Sequence, residues 1–237
     1  MIAITEKTTV GEVARAFPAA IRLFEQYGVD FCCGGDRAIG ETCHEKGVSF
    51  ADLVETMEKA QQSLDASRLP DWSSAPLGEL IGHIVSRHHA YLKTELPHLS
   101  QMLTRVTEVH GKSHGETLLP LGTLYAGFCR ELEDHMWKEE NVLFPVIRRM
   151  EEAHTSGQKN SRLSVSDPIR VMEFEHQSAG NALDQMRRLT NQYETPSDGC
   201  ATYRALMDGL KALETDLHQH IHLENNILFP RAIELED

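Results

Sequence analysis

Apolar residues recur every three or four positions along nearly the whole chain, and no stretch alternates apolar and polar residues as a half-buried β-strand would. In residues 1–66 this pattern predicts three short helices. The first is expected to run from the capping residue Thr9 to Tyr27, where Gly28 ends it. A tight turn is expected directly afterwards, over residues 29–35.

Four longer helical patterns follow, and short polar segments separate them. They cover residues 77–110, 116–153, 168–193 and 198–228. Asp167 is expected to cap the third of these helices. Long amphipathic helices with short connections are typical of an antiparallel bundle. The sequence therefore predicts an all-α fold with a small helical domain at 1–66, a proline-containing linker at 67–76 and an up-down four-helix bundle at 77–237.

An internal repeat links the second and fourth bundle helices. The segment HMWKEENVLFP at 135–145 aligns without a gap with HIHLENNILFP at 220–230, and histidine, glutamate, leucine, phenylalanine and proline coincide. Repeats of this kind indicate equivalent structural units. We therefore expect the two helices to be equivalent halves of a pseudo-twofold bundle.

Each copy of the repeat contains a His-x-x-x-Glu pair, and residues four apart share one face of a helix. If the second and fourth helices each supply such a pair, the first and third should each add one ligand. Both contain a histidine at nearly the same distance before the pair that follows. The candidate metal ligands are His89, His135, Glu139, His176, His220 and Glu224.

This donor set suits two metal ions better than one, because six ligands displaced along four rods fit a single octahedral ion poorly. Two ions, each with two histidines and sharing both glutamates as bridges, would use every ligand, and an oxo or hydroxo bridge from solvent would complete the set. Imidazole and carboxylate donors suit iron, manganese or zinc. The alternative is that the six residues are solvated or core polar groups, although buried carboxylates without a cation are costly.

Other histidines compete for the ligand positions. His83 and His88 are alternatives to His89, because successive helix positions differ by about 100° and only one of the adjacent pair can face the core. Glu173 and His176 form a Glu-x-x-His pair of the ferritin type, but the other helices do not repeat it. Two further histidines flank the fourth-helix ligand and must point away from its face: His218 and His222.

The adjacent thiols of Cys32 and Cys33 are candidates for chemistry of their own. Adjacent cysteines rarely form a disulfide, and the backbone amides of the following glycines could lower the thiol pKa. Such thiols could accept iron, reduce a substrate or bind nitric oxide; the alternative is a pair of small residues in a tight turn. Cys43 and the histidine after it could complete a zinc site with these two thiols, but no Cys-x-x-Cys spacing of the kind found in zinc sites supports this. Cys129 and Cys200 are expected to be packing residues.

Composition narrows the classes of function. The chain has 23 Lys and Arg against 36 Asp and Glu, for a net charge of −13, and no basic run. This excludes a nucleic-acid partner and an anionic membrane surface. No apolar stretch approaches the ~18 residues of a membrane span, and the N-terminus lacks the layout of a signal peptide. We therefore expect a soluble, cytoplasmic protein with reduced thiols.

Residues 77–237 resemble the hemerythrin-like family, and GVDFCCGGDRAIGETC at 28–43 resembles the N-terminal element of the iron–sulfur cluster repair di-iron proteins, the RIC family. The resemblance implies a non-haem di-iron centre held by the six candidate ligands. It implies repair of iron–sulfur clusters damaged by nitrosative or oxidative stress, with iron donated to damaged iron–sulfur proteins. It further implies that Glu131 and Glu175 line a path to the metals, although a solvated face explains them equally well, and it is compatible with a homodimer.

Two other functions stay open. The centre could bind nitric oxide or oxygen as a scavenger or sensor, or it could reduce nitric oxide at the paired irons. The second of these is an enzyme activity that needs an electron supply, and the chain carries no flavin or NAD fingerprint. An iron-donating repair protein is therefore favoured over a turnover enzyme.

Overall fold

The computed structural model describes residues 4–63, 71–157 and 164–236. Within these ranges the regular structure is helical, and the only β-type pairing is one isolated bridge between Thr9 and Ala38. The predicted all-α fold is confirmed. Residues 67–70 of the predicted linker lie outside the described residues. None of the described helices is both long and apolar enough to cross a membrane.

In residues 4–63 the small N-terminal region forms four helices rather than the three predicted. They are α1 (Val10–Ala16), α2 (Ala19–Tyr27), α3 (Ile39–Lys46) and α4 (Phe50–Ser63). The predicted first helix is wrong in its length, because Pro18 divides it. Phe17 leaves helical geometry (φ −131°, ψ 83°), as expected for a residue that precedes proline. Thr9 caps α1 and Gly28 ends α2 with a left-handed conformation, as predicted.

The bundle consists of six α-helices interrupted by three π-helical segments. They are α5 (Leu77–His83), π1 (Ile84–His89), α6 (Ala90–Lys138), π2 (Glu139–Leu143), α7 (Phe144–Thr155), α8 (Ser166–Leu189), α9 (Ala201–Leu223), π3 (Glu224–Leu228) and α10 (Phe229–Ile233). Inside α6 only His114 leaves helical geometry, at φ −125° and ψ 22°. The chain reverses in this region: residues on either side of His114 come into contact, and the Tyr125 hydroxyl donates to the Leu96 carbonyl at 3.1 Å. The break predicted at 111–115 is therefore a sharp corner rather than a loop.

The start of α8 differs from the prediction. Asp167 does not cap it; its carboxylate pairs with Arg170 instead. The carboxylate of Glu236, near the end of the chain, accepts hydrogen bonds from the backbone N–H groups of Val165 at 2.5 Å and Ser166 at 2.8 Å. The last turn of the chain therefore satisfies the free amides that begin this helix.

Two apolar clusters fill the molecule. One joins the small region to the adjoining half of the bundle, with Phe31, Leu96 and Leu217 among its members. The other closes the opposite end of the bundle, around Ile84 and Phe229. The helices and π segments of the bundle form four long helical rods: α5 with π1 and the first part of α6, the rest of α6 with π2 and α7, then α8, and finally α9 with π3 and α10. Along each rod, a short buried polar stretch separates the residues of one cluster from those of the other. The candidate metal ligands lie in this polar layer.

Candidate metal centre

The polar layer brings together all six residues that the sequence singled out as ligands. They form two groups, and within each group the donor atoms lie within 4.8 Å of one another. Both groups contain Glu139 and Glu224. At most 2 % of any of the six residues is exposed. The two groups are His89, Glu139, His220 and Glu224, and His135, Glu139, His176 and Glu224.

Each shared glutamate presents one oxygen to each group. Glu139 Oε2 lies 3.4 Å from Nε2 of His89, and its Oε1 lies 3.4 Å from Nε2 of His135. In the same way, Glu224 Oε1 lies 3.0 Å from Nε2 of His220, and its Oε2 lies 3.2 Å from Nε2 of His176. A carboxylate with one oxygen directed to each of two donor groups has the geometry of a bridging ligand.

The carboxylate oxygens also indicate that each group fits a cation. All four oxygens of Glu139 and Glu224 are buried, and none has a hydrogen-bond partner among the described residues. A buried carboxylate without a donor costs several kcal/mol. Neutral imidazoles and bridging carboxylates are the donors that divalent iron, manganese or zinc prefer.

The pKa values of the centre reflect strong coupling between these groups. Burial lowers the pKa of His135, but attraction to Glu139 and a hydrogen bond to Glu175 outweigh it and raise the value to about 10. Burial would raise the pKa of Glu224, yet His220 and His176 hold it well below its usual value. The bridging carboxylate is therefore ionised, as a metal ligand must be.

Hydrogen bonds to Nδ1 orient three of the four histidines. Glu175 Oε2 lies 2.9 Å from Nδ1 of His135 and is held in turn by Lys138. Glu140 Oε1 lies 2.8 Å from Nδ1 of His89 and is held by Lys93. A carboxylate on Nδ1 fixes the tautomer that leaves Nε2 free to bind a metal.

Asn225 orients the third histidine, since its Oδ1 lies 2.7 Å from Nδ1 of His176. Nδ1 of His220 has no hydrogen-bond partner in the described part of the chain. Sequence reasoning placed Glu175 beside the ligands and missed Glu140 and Asn225. The signal was present, because each of these two residues directly follows a shared glutamate in the repeat.

The π-helical segments were also missed. His89 is the last residue of π1, Glu139 is the first of π2, and Glu224 is the first of π3. A π turn adds one residue to a helical turn and so changes which side chains face inward, and such turns occur often at functional sites. Three of the four bundle rods therefore depart from regular helical geometry at a candidate ligand.

A cavity of about 270 Å³ reaches the centre between α6, α8 and α9, and its inner wall includes His135, His176 and His220. Its outer wall carries Glu131, Glu175 and a few neighbouring charged residues. Glu131 is exposed and accepts a hydrogen bond from a serine of α8 rather than contacting a ligand. Both predicted acidic residues thus line this cavity.

The competing histidines lie outside the donor groups. His83 packs against Trp72, with ring centroids 4.7 Å apart. His88 is buried, but its Nδ1 faces Asp216 at 3.1 Å. Two more turn toward the small N-terminal region and contact Phe31 edge-on, namely His218 and His222. Glu173, of the ferritin-type pair, is exposed and belongs to neither group.

The Cys32–Cys33 turn lies directly beside the centre. The two sulfurs are 3.9 Å apart, and Cys33 Sγ lies 3.5 Å from the carbonyl oxygen of His176. The pKa of Cys32 is raised rather than lowered, so the prediction that the glycine amides lower it is wrong. Asp30 Oδ1 accepts the backbone N–H groups of both cysteines and lies 3.4 Å from the Cys32 sulfur, where its charge disfavours a thiolate. Hydrogen bonding to Cys33, burial and the charge of Asp30 raise the pKa of Cys32 well above its usual value.

The structure also corrects the prediction for one of the remaining cysteines. Cys200 is not a packing residue: it is exposed, immediately before α9. A hydrogen bond from His110 and backbone N–H groups of the first turn lower its pKa to about 7. Cys129 is half-buried in the bundle, where burial raises its pKa to about 11.

Comparison with known proteins agrees with this geometry. Residues 80–232 match the Hemerythrin HHE cation binding domain, and residues 6–61 match a domain of unknown function, DUF542. The chain is 39% identical over 226 residues to the iron-sulfur cluster repair protein YtfE of Edwardsiella ictaluri, and the alignment covers 94% of this chain and 96% of that protein. It is 36% identical over 227 residues to the probable iron-sulfur cluster repair protein of Haemophilus influenzae, with 94% and 96% covered. The YtfE protein of Pectobacterium atrosepticum is 38% identical over 228 residues, with 95% and 96% covered.

Proposed function

We propose that this chain, which belongs to the family of iron–sulfur cluster repair proteins with a hemerythrin HHE domain, restores damaged clusters by donating iron held in its bundle. The observation that carries the proposal is the pair of buried donor groups that share both glutamates. In this proposal the chain consists of a small domain at 1–66, a linker at 67–76 and a metal-binding bundle at 77–237.

His89 and His220 would hold one ferrous ion and His135 and His176 the other, with Glu139 and Glu224 available to both and a solvent oxygen completing the set. Iron bound there supplies the ion that a depleted cluster has lost. The protein contributes ionised carboxylates in a water-poor layer and imidazoles held in the metal-binding tautomer.

The surroundings of the second group support release of its ion. The cavity that reaches His135 and His176 has Glu131 and Glu175 in its wall, and carboxylates suit the passage of a divalent cation. Cys32 and Cys33 lie on another side of the same group and are the candidate thiols for receiving iron. All five cysteines fall within the described residues and are free thiols, as in a reducing compartment such as the cytoplasm.

The test of iron donation uses protein loaded anaerobically with two ferrous ions and an iron-depleted cluster enzyme. We expect activity to return faster than with the same amount of free ferrous iron. The variant E224A should lose this advantage, whereas E133A, an exposed glutamate on α6, should keep it. Recovery no faster than with free iron would refute the donor role.

A small-ligand function is the second candidate, because the 270 Å³ cavity gives nitric oxide or oxygen access to His135 and His176. In that case the loaded protein should bind nitric oxide stoichiometrically and retain both irons. Loss of iron to the depleted enzyme in the same assay favours donation instead.

A further inference from the structure

The internal repeat places two different residues in equivalent positions beside the centre. Glu140 and Asn225 each follow a shared glutamate, and each accepts from Nδ1 of a histidine on a neighbouring helix, at 2.8 Å for His89 and 2.7 Å for His176. The repeat therefore keeps the task of the position but exchanges a carboxylate for an amide. The consequence is that Asn225, unlike Glu140, also has hydrogens to donate.

Asn225 uses this donor to reach the small domain. Its Nδ2 donates to the carbonyl oxygen of Cys32 at 3.2 Å, while its Oδ1 accepts from His176. One side chain therefore joins the Cys32–Cys33 turn to a candidate ligand. By contrast, the partners of His89 and His135 are held by lysines on the bundle itself.

The neighbouring contacts seat the turn firmly on π3. Asn226 Nδ2 donates to the carbonyl oxygen of Phe31 at 3.0 Å. The ring of Phe31 is buried and meets His222 edge-on, with centroids 5.7 Å apart. Cys33 Sγ lies against the backbone of His176 at 3.5 Å. The turn is thus bonded to the bundle at the two residues that follow Glu224 and at α8.

We propose that Asn225 is a positioning residue through which the docked Cys32–Cys33 turn holds His176 in its metal-binding orientation. Undocking the turn then makes the ion at His135 and His176 exchangeable, while the ion at His89 and His220 is retained. The inference rests on the proposed two-ion site. It identifies the small domain as the element that controls which of the two ions leaves.

The arrangement around the other group supports this asymmetry. No residue of the small domain is hydrogen-bonded to His89, His220 or Glu140 in the described part of the chain. His220 packs against His88, with parallel rings 5.7 Å apart. The cavity that opens toward solvent is lined by both histidines of one group, His135 and His176, but by only one histidine of the other, His220. The ion at His135 and His176 therefore has the wider access to solvent.

The first test measures iron release from the fully loaded full-length protein to an excess of a coloured ferrous chelator, without any client enzyme. We expect two phases of equal amplitude. N225A should accelerate one phase by about 10- to 100-fold, the usual effect of removing a hydrogen-bond partner from a ligand histidine, and leave the other within twofold. N226A, which loosens the turn without touching His176, should accelerate the same phase at least threefold.

The matched control is N141A, the repeat equivalent of Asn226. Among the described residues the Asn141 side chain donates only to the Trp137 carbonyl, so iron release from this variant should equal that from the unmodified protein. The inference is overturned if N225A accelerates both phases equally or neither. It is also overturned if N226A leaves release unchanged, because His176 would then be independent of docking. Failure of cluster reactivation would refute iron donation without changing these release phases.

A second measurement does not depend on the folding of any variant. If docking of the turn favours metal at His176, then metal must favour docking by the same factor. Alkylation of residues 32–33 in the unmodified protein, followed by mass spectrometry at fixed pH, should therefore be slower with both ions bound than without metal. Equal rates would contradict the coupling.

Discussion

The contact between the small domain and the bundle can be tested with a single methyl group at Gly35. A Cβ at this position would lie 2.6 Å from Oδ1 and 3.4 Å from Cγ of Asn226. That side chain cannot yield freely, because its Nδ2 group bonds both the Phe31 carbonyl, at 3.0 Å, and Nδ1 of His222, also at 3.0 Å. Gly35→Ala must therefore displace Asn226 from both partners.

The magnitude follows from those two hydrogen bonds. Leaving a buried acceptor without its donor costs about 1–3 kcal/mol, so the loss of both bonds should cost about 2–6 kcal/mol. The alanine also restricts the unfolded chain, which stabilises the folded protein by about 0.4–1 kcal/mol. We therefore expect Gly35→Ala to lower the free energy of unfolding by about 1–6 kcal/mol.

The assay is denaturant unfolding of the metal-loaded protein, followed by circular dichroism and extrapolated to water. The matched control is Gly127→Ala in α6, where no described atom lies within 4 Å of the added Cβ. This control should raise stability by about 0.5–1 kcal/mol, as expected for glycine inside a helix. If Gly35→Ala also raises stability, the docking geometry argued above is refuted.

Further predictions concern the cap of α8 and the exposed thiol. Glu236→Ala should destabilise the protein by about 1 kcal/mol through loss of the cap, whereas the exposed Glu234→Ala should not. Hydrogen bonds from the start of α8 hold the pKa of Glu236 below its usual 4.5. The stability difference between the unmodified protein and Glu236→Ala should therefore be largest above pH 4.5 and shrink as the pH falls. A stability difference that grows on acidification would contradict the cap. Cys200 should be alkylated with a midpoint near pH 7, because its pKa is about 7, while Cys129, with a pKa of about 11, should react far more slowly. His110→Ala should move the Cys200 midpoint upward, and an unchanged midpoint would refute the role of the imidazole.

The site was predictable from the sequence where its signal is a spacing. Two His-x-x-x-Glu pairs in a gapless repeat place His135 with Glu139 and His220 with Glu224 on equivalent helix faces, and the structure brings these residues together with a histidine from each remaining helix. The all-α fold was predictable for the same reason, since helical periodicity extends over most of the chain.

Features that depend on contacts between distant segments were not predictable. Glu236 caps a helix about 70 positions earlier in the chain, so no local capping pattern reveals it. The pKa of Cys32 depends on its hydrogen bond with Cys33, on burial and on the nearby charge of Asp30, and the burial arises only when the chain is folded. The π segments leave no periodic signal, because each displaces the apolar pattern by only one residue. The division of the first predicted helix at Pro18 is different, because it could have been predicted from the sequence. The helical periodicity continues on both sides of this proline and led to the prediction of one helix.

The central claim is that two metal ions share Glu139 and Glu224, and it is tested most directly by iron analysis combined with Mössbauer spectroscopy on the anaerobically loaded and then oxidised protein. We predict about two irons per chain, present as a magnetically coupled pair, because both donor groups contain the same two carboxylates. One iron per chain at saturation, or two irons without magnetic coupling, would contradict it.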